Sequence, residues 1–283
     1  MRRVTAFWQA LPVRAALRVS RALGPVRASN VFGALARWIG PLLPVSRIAR
    51  VNLRLALPGA DHAAILAGMW ENLGRLAGEA PHLAGLHETD SGPGWELVGA
   101  ENLPVAGPAI LVSAHIGNWE VLPAVLAARG LPVASLYRAP DNPVVGRILR
   151  RLRGGGPALL PKGSRGALAA ARHLARGGML GLLADQKLNE GLPIPFFGHP
   201  AMTTPAPAIL ARRFACPLVP GRVQRLGPAR FRILAEPALP PDPDPAMTMT
   251  AVNARIEAWV RERPEEWLWL HRRWPKSLYR LDG

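Results

Sequence analysis

Two textures of apolar and polar positions follow one another along this chain. Up to about residue 88 the apolar residues recur at helical spacing, with Pro/Gly punctuation at "LGP", "IGPLLP" and "LPGAD". The segment "DHAAILAGMWENLGRLAGEAPHL" opens at Asp61, a good helix cap, and carries Ile65, Met69, Leu73 and Leu76 on one face. After "SGPG" the texture changes to short apolar runs alternating with helical patterns. "WELVG", "AILVSA", "PVASLY", "PALLP" and "MLGLLAD" predict strands, and "PLVPGRVQRL" with "ARFRILAE" a strand pair. "NWEVLPAVLAARG", "NPVVGRILRRL", "SRGALAAARHLARGG", "PAPAILARRFA" and a last stretch from Met247 to Arg263 predict helices. This alternation predicts an α/β fold with a mostly parallel central sheet flanked by helices. The expected division is a helical N-terminal platform over residues 1–90 and an α/β domain over 91–283.

Charge changes the picture of the first part. The formal net charge is +16, yet only three of the 35 basic residues are lysines, so part of that charge reflects a compositional bias toward arginine. Its distribution says more: residues 1–60 hold ten arginines and no acid. Such a segment is drawn to anionic surfaces, either lipid headgroups or nucleic acid. In "VTAFWQALPVRAALRVSRALG", Arg14, Arg18 and Arg21 share a helical stripe, with Phe7, Trp8 and Leu11 on the apolar side. That pattern predicts a helix lying in a membrane interface, with Trp8 and Trp38 as interfacial anchors. The alternative is the solvated basic face of a helix packed on the core. Uncharged apolar runs fall short of the ~20 residues a bilayer span needs, and a secretory signal pattern is absent. Cys216 is the single cysteine, which excludes an internal disulfide and a multi-cysteine zinc site.

The chemistry concentrates where predicted strands end. In open α/β sheets, functional residues gather beyond the carboxyl ends of strands. His115 follows "AILVSA" and Asp185 follows "MLGLLA". On a continuous helix Glu120 would lie about 140° from His115. The two meet only if the helix starts after the histidine, which "GN" permits: Gly117 allows a sharp turn, and Asn118 is a good cap. A carboxylate on one imidazole nitrogen fixes the tautomer and leaves the other nitrogen as a general base. Equally, His115 and Glu120 fit a buried histidine capped by its neighbour. Asp185 is placed to orient a ligand or His115, or to cap its own turn. Arg138, Lys162, Arg165 and Lys187 sit where a phosphorylated ligand could bind, Arg138 directly after a strand on the His115 side of the sheet. "KGSRG" lacks nucleophile-elbow spacing, and the histidines lack zinc-site spacing.

Two aromatic segments stay open. "IPFFGHPAMTTPAPAILARRF" reads as an apolar loop that either lines an acyl-chain pocket or staples the next helix. "EEWLWLHRRW" mixes Trp267, Trp269 and Trp274 with His271, Arg272 and Arg273, which suits nucleic-acid stacking, a membrane interface, or an anchor on the core.

Taken in order, "RVNLRLALP", "MWENLGRLAGE", "HIGNWE", "YRAPDNP", "ADQ", "IPFFG" and "WLWLHRRW" resemble the late acyltransferases of lipid A biosynthesis, the lauroyl/myristoyl transferase family, over nearly the whole chain. The resemblance implies a membrane-associated enzyme on the cytoplasmic face of the inner membrane, held peripherally or by one N-terminal anchor. It implies transfer of a fatty acyl chain from acyl carrier protein to a hydroxyl of a lipid A precursor. His115 is then the base and Glu120 its partner. Arg138, Asp185, Lys162 and Asn118 are the candidate substrate-binding residues. The chemistry implied needs no metal or organic cofactor. The partners implied are acyl carrier protein, the lipid A precursor and anionic lipid, with no nucleic acid. Acylation of another membrane glycolipid or lysophospholipid uses the same base chemistry. A basic nucleic-acid-binding protein is the alternative of a different class.

Overall fold

The computed structural model describes residues 2–131, 133–137, 142–152, 159–161 and 163–279, with side chains from residue 11 onward apart from Pro143, Leu149 and Ser164. Three helices come first: α1 (Arg2–Ile39), α2 (Ser46–Ala56) and α3 (His62–Glu79). As expected, Asp61 caps α3, its carboxylate accepting from the Ala64 N–H at 3.0 Å. α1 breaks at Gly24 (φ 74°, ψ 169°), just before Pro25, so it is two helical pieces rather than one rod. α1 packs along α3, and Gly74 and Gly78 permit the approach, because a Cβ at either would strike the carbonyl of Phe32 or Ala28.

The strands follow as β1 (Gly94–Val98), β2 (Ala109–Ser113), β3 (Val133–Tyr137), β4 (Leu159–Pro161), β5 (Met179–Leu183), β6 (Leu192–Phe196), β7 (His199–Thr203), β8 (Leu218–Gly227) and β9 (Arg230–Ala235). Between them lie α4 (Leu122–Ala128), α5 (Pro143–Leu152), α6 (Ser164–Ala175) and α7 (Ala206–Arg213), with α8 (Pro245–Glu262) after β9. Seven strands form one sheet in the order β1-β9-β8-β2-β5-β3-β4. Only β8 and β9 pair antiparallel in it. The mostly parallel sheet flanked by helices is therefore the observed architecture. "IPFFGHPAMT", read as a loop, is instead the two-stranded hairpin β6–β7.

The two faces of the sheet are covered differently. Ile110, Val112, Leu180 and Leu218 point into the larger core, with Leu53, Met69, Ile256 and three C-terminal tryptophans. Leu111, Ser113, Gly181 and Ser135 alternate onto the other face. There α4 and its flanking turns leave a cavity of about 140 Å³ over the strands.

Candidate active site

β2 lies in the middle of the sheet between β5 and β8, so whatever follows Ser113 is held from both sides. The chain leaves it through Ala114–His115–Ile116 and turns at Gly117 (φ 61°). That turn requires glycine for a second reason: a Cβ would run into the Val223 carbonyl. A short 3₁₀ turn (Trp119–Val121) then leads into α4. His115 thus lies in a loop with Glu120 in the first turn beyond it, as the "GN" reading requires.

The carboxylate on the imidazole is nevertheless Asp185, from the end of β5. His115 Nδ1 lies 2.8 Å from Asp185 Oδ1, and the His115 backbone N–H donates to Oδ2, also at 2.8 Å. Trp267 Nε1 donates to that same Oδ2 at 2.8 Å. Asp185 is fully buried. Burial alone would raise its carboxyl. Attraction to His115 and the hydrogen bonds from it outweigh burial, with help from His271, and hold Asp185 well below the usual carboxylate range. The carboxylate therefore stays ionised and fixes the tautomer with hydrogen on Nδ1. Nε2 is left as the acceptor. The Gln186 amide nitrogen lies 3.3 Å from it and 3.3 Å from Nε2 of His271. The rings of His115 and His271 stand edge-on, with centroids 4.8 Å apart. Trp119 meets His115 from another side at 5.1 Å.

Glu120, expected on the imidazole, lines the apolar cavity together with Trp119 and Ser113. Asp185 reaches Nδ1 because the parallel pairing Ser113↔Leu183 brings the two strand ends side by side. Asn118 does not face the site. It is fully buried and donates from Nδ2 to Glu79 Oε2 at 2.7 Å, behind the turn. Arg138 and Lys162 lie outside the described residues. Arg165 is exposed on α6, and Lys187 is half-buried just after Gln186.

The back of the turn is a second polar network. Glu79, at the end of α3 and fully buried, accepts from Ser29 Oγ (2.7 Å), the Ala229 N–H (3.0 Å) and both terminal nitrogens of Arg225. Asn72 donates to the carbonyls of Gly117 (3.0 Å) and Glu266 (3.2 Å), and Gly117 N–H donates to the Glu266 carbonyl. Burial raises the Glu266 carboxyl, against the hydrogen bond from the Arg225 N–H.

The two aromatic segments resolve into packing. Phe196 and Phe197 are buried, Phe196 against Trp267 and Trp274, and neither lines the cavity. The acyl-pocket reading of that loop is thus replaced by a core role. Trp267, Trp269 and Trp274 are fully buried, which selects the anchor reading. Arg273 is buried with them. Its guanidinium lies 4.9 Å from the Phe196 ring centroid and donates to Thr203 Oγ1 and the Met202 carbonyl. Burial pushes it down to about 10, against the pull of Asp185, so it remains charged at neutral pH.

Gln186, His271 and Trp267 were not assigned site roles from the sequence. "ADQ" marked Gln186 by position alone. Nothing local in "EEWLWLHRRW" tells that Trp267 reaches a carboxylate 82 residues away.

An α/β sheet with a histidine–aspartate pair at its central strand ends, beside an apolar cavity, defines the class of protein. The sequence profile of the bacterial lipid A biosynthesis acyltransferases matches residues 1–276, and the chain belongs to that family. It is 25% identical to a lipid A biosynthesis acyltransferase of Haemophilus influenzae over 186 residues. That match covers 62% of this chain and 57% of the relative, so the chain spans little more than half the length of that protein. Among solved structures it is similar to the 1-acyl-sn-glycerophosphate acyltransferase PlsC of Thermotoga maritima. The identity there is 13% and the TM-score 0.42, over 83% of this chain and 98% of that one.

Proposed function

We propose that this protein is an O-acyltransferase that moves a fatty acyl chain from an acyl carrier protein thioester to a hydroxyl of a lipid A precursor, at a membrane surface. The observation that carries the reading is the buried Asp185 holding His115 by Nδ1, with Nε2 next to Gln186 and the ring against Trp119, which itself lines an apolar cavity. Nε2 takes the proton of the acceptor hydroxyl as its oxygen attacks the thioester carbonyl. Ionised Asp185 stabilises the imidazolium that forms. When the tetrahedral intermediate collapses, the C–S bond breaks and the imidazolium returns its proton to the leaving thiolate. Base assistance of this kind is worth roughly 10²–10⁴-fold. Trp119 touches the His115 ring and lines the cavity together with Glu120, so in this reading the chain enters past them. Two parts divide the work in this reading: a helical platform (1–90) that meets lipid and an α/β part (91–283) that does the chemistry.

The lipid-facing role rests on the end of the platform rather than on its start. Trp38 is 79% and Leu42 82% exposed, and Leu35 and Ile39 are more than half exposed. Exposed Arg47 and Arg50 follow directly. Apolar side chains beside cations suit an anionic membrane interface. Arg18 and Arg21 are exposed and Arg14 is half-buried, while the Phe7 and Trp8 side chains lie outside the described ones. No helix among the described residues is long and apolar enough to cross a membrane.

The test is transfer of acyl chains from acyl carrier protein to a tetra-acylated lipid A precursor, read by mass spectrometry. The purified wild type is expected to add one chain, and the folded His115→Ala protein to lose at least about 10²-fold in kcat. A wild type that acylates only a lysophospholipid would move the acceptor to another class. Full activity in His115→Ala would remove the base.

A further inference from the structure

Ser113 is the last residue of β2, two residues before His115. It is 94% buried, as its relative exposure is 6%. Ser113 is among the residues that line the cavity, with the apolar Leu111 before it on the same strand face. Its hydroxyl has no hydrogen-bond partner among the described residues. A buried hydroxyl without a partner is costly and rare in a folded protein, and such groups recur where a ligand completes them. Alanine in its place would fill the strand without that cost.

The position of Ser113 says which ligand atom it meets. Two strand residues advance about 6.6 Å, so its Cα lies within reach of the base. A reacting acyl carbonyl must lie about 3 Å from the attacking oxygen, which itself lies about 3 Å from the base. An acyl chain lying in the cavity with its thioester at His115 passes Ser113 with the carbonyl, its one polar atom. We infer that the Ser113 hydroxyl donates to this carbonyl oxygen and stabilises the oxyanion formed on it. This rests on the acyl-transfer reading above. As the acceptor oxygen bonds to the carbonyl carbon, the C=O π pair moves to the carbonyl oxygen, and Ser113 Oγ–H donates to that charge. The pair returns to re-form C=O when the C–S bond breaks. No proton leaves Ser113.

Activity and stability should therefore move in opposite senses. Ser113→Ala is expected to lower kcat by about 10²–10³-fold, the size of one oxyanion donor, with KM within a few-fold. Its melting temperature is expected to stay level or rise. Ser113→Thr keeps the hydroxyl and is expected to retain at least about a tenth of wild-type kcat, whereas its isostere Ser113→Val matches alanine. These variants are assayed beside wild type and His115→Ala. A Ser113→Ala kcat equal to wild type overturns this inference alone. So does a loss confined to KM, or a change only in preference between plain and hydroxylated acyl chains, since the hydroxyl would then read the chain and not the reacting carbonyl. A wild type that transfers no acyl chain overturns the acyl-transfer reading and this one with it.

Discussion

Two fully buried carboxylates flank the turn after β2, and they are partnered in opposite ways. Glu79, behind the turn, meets the permanent guanidinium charge of Arg225, two neutral side chains and a backbone N–H. Asp185, in front, meets an imidazole, an indole N–H and a backbone N–H. The first arrangement sets the carboxylate against a guanidinium. The second is anionic beside a ring whose charge can change. Burial and hydrogen bonding alone do not separate structural from functional carboxylates; the protonation range of the partner does.

The sharpest way to break this comparison is to neutralise each carboxylate without changing its shape. Asp185→Asn should lower kcat by about 10²–10⁴-fold, because an amide can hold the wrong tautomer and cannot balance an imidazolium. Rapid-quench assay at saturating acyl donor reads this; a kcat near wild type would demote Asp185 to packing. Glu79→Gln should do the reverse. It leaves Arg225 uncompensated and nearly buried, at a cost of about 3–5 kcal/mol in urea unfolding, while the fraction that stays folded keeps its kcat. A stable Glu79→Gln protein with crippled turnover would show that the rear network takes part in the chemistry.

Acid stability sharpens the same contrast. Asp185 is held below its unfolded value, so it contributes stability above that value and loses it as pH falls toward the folded one. Each unit of displacement is worth about 1.4 kcal/mol. Melting temperature between pH 5 and pH 3 should therefore fall less steeply in Asp185→Asn than in wild type. Parallel curves would mean that the carboxylate is not held low. The smallest effect is expected at Glu120. With Asp185 on Nδ1, Glu120→Gln should cost less than about tenfold in kcat and act on KM for the acyl donor through the cavity. A loss as large as that of Asp185→Asn would make Glu120 a second partner of the base.

These residues also show what a sequence can tell. His115 and Asp185 were legible because each follows a short, mostly apolar strand run, and parallel strands bring their ends to one edge. Glu120 was singled out by nearness in sequence, whereas strand register brings Asp185 onto Nδ1. The hairpin β6–β7 was missed because Pro193, Pro195 and Pro200 suppress the strand pattern. Asn118 reads as a helix cap, and only the arrival of Glu79 from the end of α3 turns it backward. Pairings such as Arg225 with Glu79, 146 residues apart, leave no local trace.

The segment after α8 has a bearing on the timing of synthesis. Leu268 N–H donates to the His115 carbonyl, Ile116 bridges to Trp267, and Asn52 receives the chain beyond through the carbonyls of Trp269 and His271. On the ribosome, the strand bearing His115 emerges about 150 residues before these partners, and contacts so distant form late. A nascent chain can thus hold its sheet before the loop at His115 is held in place. The loop that carries His115 gains these last contacts only when the tryptophans dock.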